Sequence, residues 1–337
     1  HDILCVSSDI QPLYGICSEV SYLNDGDIVK ISRESIESRN PEYTAHFETL
    51  NGDFERSEKG PFPNYMLKEI HEQPISLSNV LGGRISSDGR KAALGGFSLN
   101  PSEIRSLRRI NLVGCGTAYF AAKIGANLLH KHTGLTVESF RGSEFPAKFV
   151  CGENTLTIGI SQSGETKDTL DALHTAKLFG GHISSFCNVI GSTMARLTSN
   201  GAYLYAGPEY AVASTKAFSN MIAALVLFSL TLSETDVKEK QRIVQDLREL
   251  PNKVSNQLKE DDGSIDKAVA ILENAPYSLF VGRGFSSALV QEGALKMMEL
   301  AYMPCISLPG GELKHGTIAL IEEGLPVIVI APKDKYY

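Results

Sequence analysis

An α/β chain with a doubly wound parallel sheet, Rossmann-like and of three-layer αβα type, is predicted by three observations. Apolar, β-branched runs at residues 110–113, 137–140, 156–160, 183–187 and 202–205 alternate with helical patterns, the rhythm of right-handed βαβ crossovers covering both faces of a sheet. Two of these runs pass straight into turns rich in glycine or hydroxyl groups that open helices. Residues 277–286 then repeat the strand–Gly-x-Gly–helix start of residues 110–118. That internal repeat predicts one complete unit followed by part of a second.

In order along the chain, residues 1–40 read as short strands, with two of them across Asn24-Asp25-Gly26-Asp27. A segment of about 40 residues is too short to hold an independent core. Residues 41–63, polar and carrying Asn51-Gly52-Asp53 and Gly60-Pro61-Phe62-Pro63, read as a linker with a hairpin. Residues 64–262 form the complete unit, starting with a helix over 65–73 and ending with a charged surface helix over 238–260. Residues 263–337 begin the second unit, with strands at 277–281 and 327–330. A doubly wound sheet needs about five strands, so this unit is expected to be half present.

Composition narrows the function. The 337 residues carry 32 basic and 39 acidic side chains, a net charge of −7. No polyanion-binding surface is implied, so nucleic acid is excluded as a partner. Six cysteines, at 5, 17, 115, 151, 187 and 305, include no CxxC pair, which favours reduced thiols and a cytoplasmic location. No signal peptide and no run of ~18 apolar residues appears, so no membrane span is expected. No metal-ligand spacing emerges, and neither a metal nor a cofactor is expected.

The chemistry gathers in the turns. Ser161-Gln162-Ser163-Gly164-Glu165-Thr166 joins the run 156–160 to a helix and offers three hydroxyls, one amide and a permissive glycine. Backbone N–H groups at such a helix start attract an anion, and the hydroxyls add neutral donors. With no Lys or Arg inside the hexapeptide, the pattern suits a phosphate on a small metabolite better than a nucleoside triphosphate. On the residues alone, helix capping is an equal reading. Gly114-Cys115-Gly116-Thr117 is a second such turn. It lacks the full dinucleotide fingerprint, because Tyr119 stands where the third glycine would fall. Val212-Ala213-Ser214-Thr215-Lys216 is the third, ahead of an apolar helix over 217–232. A P-loop reading is excluded, since no Gly-x-x-x-x-Gly-Lys-Ser/Thr occurs. Three turns of this kind converge at the carboxyl edge of a parallel sheet.

These three turns resemble the sugar-phosphate loops of SIS (sugar isomerase) domains. Together with Met66-Leu67-Lys68-Glu69-Ile70-His71-Glu72-Gln73-Pro74 and Gly311-Glu312-Leu313-Lys314-His315-Gly316, they resemble the glutamine–fructose-6-phosphate aminotransferase family along nearly the whole chain. The resemblance implies fructose 6-phosphate and glutamine as substrates, glucosamine 6-phosphate as product, no cofactor, and a homodimer. It implies that 1–40 is the end of a glutaminase domain, 64–262 a first SIS domain and 263–337 the start of a second. Such glutaminase domains use an N-terminal cysteine, whereas residue 1 is His1 and Cys5 and Cys17 are internal. The family's Schiff-base lysine lies in a C-terminal tail, and Lys333 and Lys335 do not inherit its role. The chain is therefore expected to be truncated at both ends, and to bind the sugar phosphate without completing the reaction or hydrolysing glutamine.

The resemblance also assigns roles. Cys115, Gly116 and Thr117, with Ser161, Gln162, Ser163 and Thr166, surround the phosphate and sugar, and Val212 and Ser214 line the hexose. Ala118 departs from the serine usual after Cys-Gly-Thr. Glu299 moves a proton between C1 and C2 with Lys296 as its partner, which requires a carboxyl brought toward neutrality by burial. By spacing alone, Lys296 and Glu299 read as a solvated ion pair on one helix face. His315 takes the ring-opening role in the neighbouring subunit's site, since imidazole exchanges protons near neutral pH; a lone His otherwise packs or caps. An amino-sugar deaminase or deglycase, or a non-catalytic sugar-phosphate sensor, would share the loops.

Overall fold

The computed structural model describes residues 4–7, 13, 16–23, 26–32, 35–41, 43–49, 58–86, 88, 91–233, 236–260 and 262–334. Two compact units divide between Pro61 and Phe62.

In the first unit, β1 (Glu19–Val20), β2 (Val29–Ile31), β3 (Ile36–Ser38) and β4 (Glu48–Thr49) form two antiparallel pairs, β1 with β4 and β2 with β3. The strands expected on either side of residues 24–27 are both present, but they do not pair with each other. Val29 lies opposite Ser38 and Ile31 opposite Ile36. Between them Ser32 Oγ accepts the Ser35 N–H at 3.0 Å. Asn24, Asp25 and residues 51–53 lie outside the described residues.

The second unit opens with α1 (Tyr65–Leu81), capped by Asn64 Oδ1, which accepts the Leu67 N–H at 2.9 Å. The helix was expected to stop at residue 73, yet it runs through Pro74. Proline removes one ladder bond, but the following turns bury Ser76, Leu77, Val80 and Leu81, and that burial outweighs the local loss. Then follow α2 (Pro101–Ser106), β5 (Arg109–Gly114), α3 (Thr117–Thr133), β6 (Thr136–Arg141), α4 (Ala147–Val150), β7 (Thr155–Ser161), α5 (Lys167–Leu178), β8 (His182–Cys187), α6 (Thr193–Thr198), β9 (Gly201–Tyr203), α7 (Lys216–Leu232) and α8 (Val237–Gln257). The five strands form a parallel sheet in the order β6-β5-β7-β8-β9.

Ile110, Leu112, Leu156, Ile158 and Ile160 are fully buried in its centre, which is why those runs are continuously apolar. A Cβ on Gly125 of α3 would stand 2.7 Å from Leu225 of α7, so glycine there permits the close crossing of these two helices. Strand order reverses between β5 and β7. That is the topological switch point, where the crevice of an open α/β sheet lies.

A short helix, α9 (Ser264–Leu272), leads to β10 (Ser278–Gly282), α10 (Phe285–Ala301), β11 (Cys305–Pro309) and β12 (Val327–Ile330). These strands form a second parallel sheet in the order β11-β10-β12. One strand after β10 was expected, and there are two. Cys305-Ile306-Ser307-Leu308-Pro309 alternates polar and apolar residues between prolines, so it lacks the apolar run that marks a buried strand. Its only buried residue is Leu308.

Candidate active site

The turns after β5 and β7 flank the switch point, and each is shaped by a glycine. A Cβ on Gly114 would sit 3.0 Å from that of Ala118. Ala118 is itself buried at 6% exposure, so the residue that replaces the usual serine is packed beneath the turn. Gly164 has φ +72°, and a Cβ on it would lie 2.1 Å from Ser192 Oγ. Only glycine fits there, for both reasons.

Inside the second turn, Ser161 Oγ accepts the Gly164 N–H at 3.0 Å and Ser163 Oγ accepts the Glu165 N–H at 3.1 Å. Ser161 and Thr166 share a hydroxyl–hydroxyl bond of 3.0 Å. The loop is further held by Glu165, whose Oε1 accepts the Thr193 N–H at 2.8 Å. Two features are left open. α5 has no side-chain cap from Thr166, and the buried Gln162 Nε2 has no hydrogen-bond partner among the described residues. A buried amide without a partner is costly, and an anion at the start of α5 would satisfy it together with the helix N–H groups.

The hydroxyls of the other two turns are engaged by acidic side chains. At α7, Glu209 Oε1 accepts the N–H groups of Thr215 and Ala217 at 2.8 and 3.1 Å, and its Oε2 accepts the Ser214 hydroxyl at 2.8 Å. Val212 is 87% exposed beside it. At α3, Thr117 bridges to α10: its hydroxyl donates to Glu292 Oε1 at 2.9 Å and accepts from Lys296 Nζ at 2.9 Å. Cys115 Sγ meets Thr169 Oγ1 of α5 at 3.7 Å. The hydroxyls of the turn after β7, by contrast, bond only within their own turn among the described residues.

On α10, Lys296 Nζ lies 2.8 Å from Glu299 Oε2 and 3.3 Å from Glu292 Oε1. The pair is therefore no solvated ornament. Lys296 is the centre of a Thr117–Glu292–Lys296–Glu299 network that ties the β5 turn to α10. Glu292 was not anticipated. It is 5% exposed, and burial pushes its carboxyl above the ordinary value while Lys296 and Thr117 pull it down. Its Oε2 has no hydrogen-bond partner among the described residues. The spacing of residues 292, 296 and 299 puts all three on one helix face, a signal the sequence itself carries.

His315 lies between β11 and β12, is exposed, and donates its backbone N–H to Glu312 O at 3.0 Å. Among the described residues, no side-chain hydrogen bond or ion pair connects it to Glu299. Nor does any group of three or more His, Cys, Asp or Glu among them stand ready to hold a metal ion. A separate cavity of about 250 Å³ lies at the end of the second sheet, lined by Gly282, Arg283, Gly310, Gly311, Pro332 and Asp334 among others. None of the network residues line it.

The sequence pattern of the SIS domain matches residues 103–230 and 271–336, one segment in each sheet region. The chain belongs to the SIS domain family. It is 38% identical to a glutamine–fructose-6-phosphate aminotransferase (isomerizing) of Chlorobaculum tepidum over 98% of its length, covering 55% of that protein. The chain spans about half the length of the curated relatives it matches. The solved C-terminal domain of glucosamine-fructose-6-phosphate aminotransferase from Francisella tularensis is 31% identical and superposes with a TM-score of 0.76, over 83% of this chain and 79% of that one. The glucosamine-6-phosphate deaminase of Thermotoga maritima, at 17% identity and a TM-score of 0.60, shares the fold. No helix among the described residues is long and apolar enough to cross a membrane.

Proposed function

We propose that this SIS chain is the sugar-phosphate-binding and isomerising part of a glutamine–fructose-6-phosphate aminotransferase that makes glucosamine 6-phosphate. The observation that carries this reading is the Thr117–Glu292–Lys296–Glu299 network beside the open start of α5. The relatives support the choice of substrate.

In this reading the phosphate of fructose 6-phosphate rests at α5, against Ser161, Gln162, Ser163 and Thr166. Cys115, Gly116 and Thr117 bound the sugar on the β5 side, and Val212 and Ser214 on the other. Ammonia released from glutamine by a glutaminase domain condenses with the C2 carbonyl and expels water. Glu299 then takes a proton from C1 and returns it to C2, leaving a 2-amino aldose; one carboxylate serves both steps. Lys296 holds that carboxylate in place. Glu292 orients Lys296 from the other side, 3.3 Å from its Nζ. His315, exposed on its own subunit, supplies the ring-opening proton transfer to the site of a second subunit, so the working form is a homodimer in the cytoplasm.

The test uses the full-length protein carrying this chain, with fructose 6-phosphate and glutamine, and detects glucosamine 6-phosphate by mass spectrometry. Glu299→Gln should abolish product while sugar-phosphate affinity stays within about threefold, because the carboxylate acts on the transition state. Product formation by that variant at the wild-type rate would overturn the reading.

A further inference from the structure

The Met66–Pro74 motif lies on α1, and three of its residues, with Ser76 on the same helix face, bond the third loop and the start of α7. Glu69 is 1% exposed. Its Oε1 accepts the backbone N–H groups of Tyr210 and Ala211 at 2.6 and 3.1 Å. Glu72 Oε2 meets Lys216 Nζ at 2.5 Å, Gln73 Oε1 accepts the Ser219 hydroxyl at 2.5 Å, and Ser76 exchanges hydrogen bonds with Asn220. The loop between β9 and α7 is thus held from α1 by Glu69 as well as from within by Glu209.

Glu69 stands out because a carboxylate is an expensive acceptor here. Burial raises its carboxyl; the two N–H groups lower it, nearby Glu209 raises it and Lys216 lowers it. Its Oε2 is buried without a hydrogen-bond partner among the described residues. A neutral acceptor would take the same two N–H groups at less desolvation cost, but a charged one makes the shorter, stiffer bonds. The stiffened residues immediately precede Val212, which is 87% exposed while Glu209 and Ala213 on either side are buried. Ser214, farther along, spends its proton on Glu209. Its oxygen is left able to accept, so it suits a sugar hydroxyl and not a phosphate oxygen.

We propose that Glu69 is a positioning residue: it fixes the loop 210–214 so that Val212 and Ser214 meet the hexose, and thereby sets the preference for a hexose phosphate over bare phosphate. This rests on the reading of residues 161–166 as the phosphate turn. The two ligands separate the roles, because inorganic phosphate needs only that turn whereas fructose 6-phosphate needs both.

The experiment titrates each ligand into the wild type, Glu69→Ala, Glu69→Asp and Glu69→Gln by calorimetry, with amide exchange followed at Tyr210 and Ala211. Glu69→Ala should lose about tenfold in fructose 6-phosphate affinity, the worth of one or two hydrogen bonds to a charged group, with inorganic phosphate affinity unchanged. Exchange at Tyr210 and Ala211 should quicken while the β5 and β7 amides stay protected. Glu69→Gln keeps an acceptor oxygen in place and should recover most of the preference. Glu69→Asp, one methylene short, should not, and it stands in if the alanine variant fails to fold. Equal weakening of both ligands would mean general loosening and overturn the proposal, as would an unchanged preference in Glu69→Ala. A wild type with no preference for the hexose phosphate overturns it as well. If Ser163→Ala/Thr166→Ala then leaves inorganic phosphate binding intact, the phosphate turn has been misassigned too.

Discussion

A single ammonium, Lys296, is shared by Glu292, Glu299 and the Thr117 hydroxyl, and the residue-scale predictions follow from how that sharing is arranged. Ser163→Ala with Thr166→Ala removes two hydroxyls from the open turn. Fructose 6-phosphate binding should weaken by about 1–3 kcal/mol in calorimetry, and unchanged affinity in a folded double variant would remove the phosphate assignment. Glu292 carries a pH signature. Its folded-state carboxyl is raised, chiefly by burial, so the native state holds that proton more tightly than the unfolded chain does. Its stabilising contribution is complete below the ordinary carboxylate range and is lost as pH rises through the raised value. Urea titrations should therefore show the wild type gaining stability relative to Glu292→Gln as pH is lowered from neutral toward that range. A gap independent of pH would contradict the burial argument. Lys296 and Glu299 were legible in the sequence through the family pattern, whereas for Glu292 the sequence carried only its place on the same helix face and not its role. The bonds that give it meaning join residues 117 and 292, which only the fold brings together.

At the scale of elements, the β7–α5 connection depends on a glycine with no alternative. Gly164→Ala would place a Cβ against Ser192 Oγ in a backbone conformation that L-residues avoid. A loss of about 2 kcal/mol or more in thermal or chemical denaturation is expected, from overpacking and left-handed strain together, along with loss of phosphate affinity. Adding Ser192→Gly should return only the steric part, because the φ strain persists and the Ser192 cap on α6 disappears. The strands of the first sheet were readable because both faces are covered, so burial writes itself as apolar runs. The elements that were missed lack that signature. β11 is half exposed, α1 continues past a proline for tertiary reasons, and β1 and β2 take partners that local turn chemistry could not reveal. Val212 and Ser214 lie in the loop before α7, but the carboxylates that hold that loop, Glu69 and Glu209, carry no local mark of that role.

For the whole molecule, the expectation is a site completed between subunits. His315 is exposed, and no side-chain hydrogen bond or ion pair among the described residues joins it to Glu299. Full-length Glu299→Ala and His315→Ala subunits, each inactive alone, should regain part of the activity when mixed and allowed to exchange, since one composite site then holds both groups. Failure to complement with proven exchange would place each site within one chain. The central claim is the location of the sugar phosphate, and two crevices compete for it: the switch point between β5 and β7, and the cavity of about 250 Å³ at the end of the second sheet. Titration of fructose 6-phosphate into isotope-labelled protein, followed by amide chemical shifts, decides between them. The account predicts saturable shifts at residues 115–117 and 161–166, extending to Lys296 and Glu299 on α10, with Gly282, Arg283, Gly310 and Gly311 unmoved. Shifts confined to that second group, or no saturable shift at residues 161–166, would contradict it.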